Sequence, residues 1–186
     1  IDVDTNIVTS FDMPNNDVLL RGKFTPNEVD YTVNYWLQNI EGSEYTHDNV
    51  NSYTKKALVG ENVGADGRNY DGFHLNRNTS NLSGKVVVNA LGEGTLVLDL
   101  YYDRLTHNVT YDYYGELVDG APDLSGRNSY NVRYGTPLNV EAKPELSGYS
   151  FDGWYTNTTT VNDGAFTMPA HDVSFLGRFV TQYTVT

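Results

Sequence analysis

The chain contains no cysteine, which excludes disulfide scaffolds, thiolate metal sites and a cysteine nucleophile. It is also poor in positive charge: 12 Lys plus Arg stand against 24 Asp plus Glu, for a net charge of −12. Nucleic acid and anionic membrane surfaces are recognised through clustered Lys and Arg, so both are disfavoured as partners. No apolar run approaches the ~18–20 residues of a membrane span. No charged-then-apolar N-terminal segment reads as a signal peptide, so a signal would have been removed or would lie upstream. Long stretches rich in Ala, Leu, Glu and Lys are missing as well, which argues against long helices.

Among 186 residues there are 15 Tyr, 7 Phe and 2 Trp, far too many aromatics for a disordered chain. Tyr, Val, Thr and Phe suit a pleated, half-buried surface, and the abundant Asn, Gly and Asp serve turns. The composition is that of a β-rich protein.

The chain repeats itself. Phe11 to Phe24 and Phe166 to Phe179 share the frame F-x-M-P-x-x-D-V-x-x-x-G-basic-F, which includes both methionines, Met13 and Met168. Each copy precedes a second echo, Tyr31 to Asn34 and Tyr183 to Thr186. The fragment therefore spans about one period of a longer array plus an overlap. A weaker repeat lies inside that period. Val33-Asn-Tyr35 matches Val109-Thr-Tyr111, and Tyr70-Asp-Gly-Phe73 matches Phe151-Asp-Gly-Trp154. Two modules follow, 29–105 and 106–181. Residues 1–28 read as the tail of a preceding module and 182–186 as the start of the next.

Alternation with period two places the strands. Tyr31, Val33, Tyr35 and Leu37 share one face, and Thr32, Asn34, Trp36 and Gln38 the other. Leu96, Leu98, Leu100 and Tyr102 alternate in the same way, as do Val109, Tyr111 and Tyr113. Val132 and Tyr134 mark a short strand, and Val173, Phe175 and Phe179 the last one. Val86-Val87-Val88 predicts a strand buried on both faces. One short helix per module is expected, around Lys55 to Val63 and around Leu138 to Leu146, with Pro144 limiting the second to a single turn.

The second module resembles the Listeria–Bacteroides repeat, also called the internalin B B-repeat. The residues that carry this are VTYDYYG at Val109 to Gly115, VRYGTPL at Val132 to Leu138, GYSFDGWYTN at Gly148 to Asn157 and the terminal Met-Pro frame. The first module, with YTVNYWLQNIEGSEY at Tyr31 to Tyr45 and LVLDLYYDR at Leu96 to Arg104, is similar to mucin-binding-protein-like repeats. The resemblance implies tandem β-grasp-like modules on a large surface protein of Gram-positive or gut bacteria, without catalysis. A chain lacking Cys agrees with a bacterial exterior.

Motifs for chemistry are sparse. His47, His74, His107 and His171 show no H-x-x-H or H-x-x-x-H spacing, so no metal is expected. No G-x-S-x-G elbow marks a nucleophile, and the carboxylates fall in turns and on polar strand faces. Asp2, Asp4 and Asn6 alternate as calcium ligands do, but the later ligands of such a loop are lacking. Lys23, Lys85 and Lys143 lie near strands where an isopeptide cross-link could form, and the spacing selects no partner. Trp154 is expected in the core, where the first module has Phe73. Trp36 sits on the polar face of its strand and is the one candidate contact, for a ligand or for an adjacent module.

The expected function is that of a non-enzymatic repeat unit of an extracellular bacterial surface protein, secreted or held at the cell wall. It would act as a stalk or spacer in an adhesin-like array, with neighbouring repeat modules as partners and no cofactor. The alternative is a module binding host glycan, mucin or a host protein. The apolar face of Phe11 to Phe24 needs a partner. The choices are an edge of its own chain, a neighbouring module, or no fixed partner.

Overall fold

A computed structural model describes residues 10–19 and 22–181. The Asp2, Asp4 and Asn6 loop and the echo at 183–186 lie outside these residues. Apart from one 3-10 turn, the regular structure of the described residues is all strand. In order it forms β1 (Glu28–Gln38), β2 (Tyr45–His47), β3 (Tyr53–Leu58), β4 (Asn62–Gly64), β5 (Phe73–Leu75), β6 (Ser83–Lys85) and β7 (Val97–Arg104). There follow β8 (Thr106–Tyr113), a 3-10 turn at Ser125–Arg127, β9 (Ser129–Arg133), β10 (Pro137–Asn139), β11 (Tyr149–Tyr155), β12 (Ala165–Thr167) and β13 (Val173–Thr181).

The two halves are wired alike. In the first sheet β1 pairs parallel with β7. β2 and β3 pair antiparallel along the other edge of β1, and β5 pairs antiparallel on β7. In the second sheet β8 pairs parallel with β13, β9 antiparallel on β8 and β11 antiparallel on β13. In both, the crossover between the central parallel strands carries a two-stranded ribbon, β4–β6 or β10–β12. A parallel pair needs a long crossover, and here loops and a ribbon supply it in place of a helix.

Each sheet buries one face. Tyr31, Val33, Tyr35, Leu98, Leu100 and Tyr102 form the first core with Ala57 and Val86. Val109, Tyr111, Val173 and Phe175 form the second with Leu124, Phe166 and Met168. These are the faces that the alternation selects.

Several expectations are corrected. No helix forms at Lys55 to Val63, where the chain runs through β3, a turn at Gly60 with φ 92, and β4. The open edge of β1 from Glu28 to Val33 accepts that segment as a strand, and tertiary pairing overrides the helical propensity of Lys-Lys-Ala-Leu. Leu138 to Leu146 begins in β10 and continues as loop, with no helix ahead of Pro144. Val86 is fully buried, but Val87 and Val88 are 47% and 39% exposed. That stretch follows β6 outside the named strands and buries Val86 alone, so it is not a strand buried on both faces.

Residues 10–19 and 22–27 enter no strand, and their side chains are exposed. Met13 is 73% exposed and Phe24 is 101% exposed.

Candidate functional sites

The face of the first sheet opposite its core carries an aromatic and polar row. β1 sets Trp36 directly between His47 of β2 and Tyr101 of β7. The His47 ring lies 4.7 Å away, and Tyr101 is stacked at 6.0 Å with planes 15° apart. Tyr45 meets Tyr101 edge-on at 5.0 Å. The indole Nε1 of Trp36 donates to Asp99 Oδ1 at 2.8 Å, and Asn34 Nδ2 donates to the same oxygen at 2.9 Å. Further along, Asp103 accepts from the Tyr45 hydroxyl and from Asn76 Nδ2 at 2.8 Å. His74 Nε2 stands 3.9 Å from the same carboxylate.

Trp36 is therefore half-buried by its own cross-strand neighbours. Sequence alternation found Trp36 but not its partners. Asp99, Tyr101 and Asp103 share one parity on β7 and were the signal, but their register against β1 is not visible in a single strand. The rings and carboxylates are a chemistry that can face a sugar. The Trp36 indole N–H, the Asn34 amide, the Tyr45 hydroxyl and the Asp103 carboxylate, however, are already hydrogen-bonded within the sheet. Ser52 is similarly committed. Its Oγ donates to the Asp48 carbonyl at 2.8 Å, accepts from the Tyr35 amide at 3.1 Å and lies 2.9 Å from His47 Nε2. A hydroxyl held this way braces a turn and is poorly placed to attack.

Burial raises the hydroxyls of Tyr45, Tyr53, Tyr70 and Tyr102, and Asp48 is lowered, so several titrations set the pH range of this unit. Burial, then the hydrogen bond to Asp103, pushes the Tyr45 hydroxyl up to about 12. Burial raises the Asp48 carboxyl, but bonds from Asn51, the Tyr70 hydroxyl and the Val50 amide outweigh it and leave it below its usual value. A tyrosine raised in the fold contributes stability that is complete below its unfolded pKa of about 10. That stability is lost as pH rises through the folded value. A lowered aspartate contributes stability above about pH 4 that is lost as pH falls. The melting temperature should be flat near neutrality and fall at both ends. In Tyr45→Phe the alkaline limb should be shallower, because Tyr53, Tyr70 and Tyr102 still titrate there, while the acid limb stays in place. Thermal scans across pH, followed with tyrosinate absorbance, check this.

The second feature is the junction. Leu105 alone separates β7 from β8, and both sides of the joint are tied. Arg104 donates through Nε to the Gln38 carbonyl at 2.7 Å and through Nη1 to the Tyr134 carbonyl at 2.8 Å. Its guanidinium lies over the Phe73 ring at 4.7 Å. Arg133 reaches back from β9, and its Nη1 donates to the Ile40 carbonyl at 2.8 Å and the Gly42 carbonyl at 2.6 Å. The backbone joins in: Leu105 N donates to Gly72 O and Tyr134 N to Leu105 O, both at 2.8 Å. Gly72 has φ 74, and a Cβ there would sit 2.2 Å from the Tyr134 ring. Only glycine lets the two units approach this closely. Burial lowers the Arg104 pKa, but a guanidinium keeps its charge at neutral pH, so these bonds are charge-assisted.

Trp154 lies half-buried against the second core, with Tyr111 at 4.9 Å and Phe151 at 4.7 Å, both edge-on. Among the described residues no group of three His, Asp or Glu gathers as a metal site. No helix there is long and apolar enough to cross a membrane.

Residues 107–176 match the Listeria-Bacteroides repeat domain, from the start of β8 into β13. No curated protein and no solved structure matches the chain. The matched range takes in the Phe-Asp-Gly-Trp strand, the Met-Pro turn and the central parallel pair, and these segments build the second core. Residues 107–176 thus form a Listeria-Bacteroides repeat domain.

Proposed function

We propose that this chain is a non-enzymatic spacer unit of an extracellular bacterial surface protein, one period of a stalk of β-rich modules. The observation that carries the reading is the junction. Two cores are held by Arg104, Arg133 and Gly72 across a single connecting residue. A joint of this kind fixes the angle between modules and passes load from one sheet to the next. The common wiring of the two sheets, with first and last strands parallel at the centre, supports reading both as β-grasp-like modules over 29–105 and 106–181. Residues 1–28 would then be the tail of a preceding module and 182–186 the start of the next. The net charge of −12 would keep neighbouring stalks apart.

The alternative is a module for host glycan or mucin, with Trp36, Tyr101, Asp99 and Asn34 as its face. The array of rings at 4.7 to 6.0 Å favours it, and the satisfied hydrogen bonds weigh against it. A glycan array and a mucin pull-down, run with the wild-type chain and Trp36→Ala, separate the two readings. A spacer gives no retention above a scrambled-surface control in either protein. Retention that disappears in Trp36→Ala would assign the face to binding.

A further inference from the structure

The repeated frame acquires a physical meaning once its second copy is seen folded. In that copy Phe166 is 5% exposed, Met168 0%, Val173 1%, Phe175 1% and Phe179 9%. Gly177 is buried too: a Cβ there would lie 2.1 Å from Phe151 Cζ and 2.9 Å from Trp154 Cε3. The glycine is required because the bulged Phe151 to Trp154 strand lays two rings across it. Asp172 accepts from the Asn108 amide at 2.8 Å, at the start of β8. Arg178 sits over the Tyr114 ring at 5.3 Å and contacts Asp152 at 3.3 Å.

Phe11 to Phe24 repeats this set by position. Phe11, Met13, Pro14, Asp17, Val18, Gly22 and Phe24 match Phe166, Met168, Pro169, Asp172, Val173, Gly177 and Phe179. Phe175 is the one buried position that differs, and the first copy has Leu20 there. The other differences fall at 167, 170, 171, 174, 176 and 178, and none of these is buried. Five of the seven identities, at 166, 168, 173, 177 and 179, are buried in the second unit, and a sixth, Asp172, caps its first strand. Yet in this chain Phe11, Met13, Leu19 and Phe24 are 48%, 73%, 75% and 101% exposed. The closing strand of the first unit offers no such match, since Leu98, Leu100 and Tyr102 of β7 carry neither the Met-Pro turn nor a buried glycine.

We infer that Phe11 to Phe24 is a closing strand made for a further module of the second type, one that presents a bulged Phe-x-x-Trp strand and the amide at the start of its first strand. In the docked state Gly22 would lie under the Phe and Trp rings. Phe11, Met13, Val18 and Phe24 would fill the core, Asp17 would cap the first strand, and Lys23 would take the place of Arg178. This rests on the module reading but not on the spacer role. Its experiment reads only whether a sheet closes, so the spacer reading would survive its failure.

The test rewrites residues 166–179 of the full chain with the sequence of 11–24. The changes are Thr167→Asp, Ala170→Asn, His171→Asn, Ser174→Leu, Phe175→Leu, Leu176→Arg and Arg178→Lys. A companion chain keeps Phe175 and takes the other six. Near-UV circular dichroism and the Trp154 indole NMR signal report the second unit. The companion should fold with wild-type signals, and the full rewrite should melt no lower than Phe175→Leu alone. Gly177→Val in the companion should remove the second-unit signals. An unfolded second unit in the companion overturns the inference. The same segment grafted over 91–104 should abolish the first unit, and a folded first unit there overturns the claimed specificity for the second type.

Discussion

Tyr35→Ala should melt the first unit and leave the second folded. Tyr35 is 1% exposed and sits at the centre of an aromatic group, with Tyr53, Tyr70 and Tyr102 each at 6.3 Å. Its hydroxyl donates to the Asp66 carbonyl at 2.9 Å. Truncating a buried aromatic costs ~3–5 kcal/mol through lost transfer energy and an unfilled cavity. A unit this small has only marginal stability to lose. The second core shares no residue with the first, so it should survive. It should melt slightly lower, because Arg133 loses fixed acceptors at Ile40 and Gly42. Calorimetry with residue-resolved NMR checks this. Loss of both units together would mean that the two cores fold as one.

Trp154→Ala should have a comparable effect on the second unit, also ~3–5 kcal/mol. The indole and Phe151 cover the bare backbone of Gly177, and removing the larger ring exposes a glycine in a central strand. Among the described residues, the buried Nε1 of Trp154 has no hydrogen-bond partner. The ring therefore stabilises by packing, and an unmet donor costs stability. Trp154→Phe should then recover most of the loss. If melting barely moves in Trp154→Ala while a glycan-binding signal vanishes, the indole is a ligand contact and the core assignment fails.

The parts of the fold legible in the sequence are those with a local cause. Tyr31, Val33 and Tyr35 alternate because one face of a strand is buried, and that period needs no knowledge of partners. The repeat at Phe166 to Phe179 marks a strand because five of its fixed positions, Phe166, Met168, Val173, Gly177 and Phe179, are buried. What could not be read depends on distant pairing. Lys55 to Leu58 has helical propensity and becomes a strand only because β1 offers an open edge. The partners of Trp36 lie more than 60 positions away at Asp99 and Tyr101, and only the parallel register of β1 with β7 brings them together. Gly72, Arg104 and Arg133 sit in segments that repeat or resemble a family, but nothing in those segments marks them as a joint. Arg104 and Arg133 bind backbone carbonyls, and every residue type supplies one.

The central claim is a joint of fixed angle, and it is tested most directly by a distance measured across it. The absence of cysteine lets spin labels be placed at will, at Thr54→Cys in β3 and at Asn157→Cys beyond β11, both exposed. Pulsed electron–electron resonance should give a single narrow distance distribution in the wild-type background, and a broad one once Arg104→Ala and Arg133→Ala are added. A broad distribution in the wild-type background, unchanged by those substitutions, would contradict a fixed spacer.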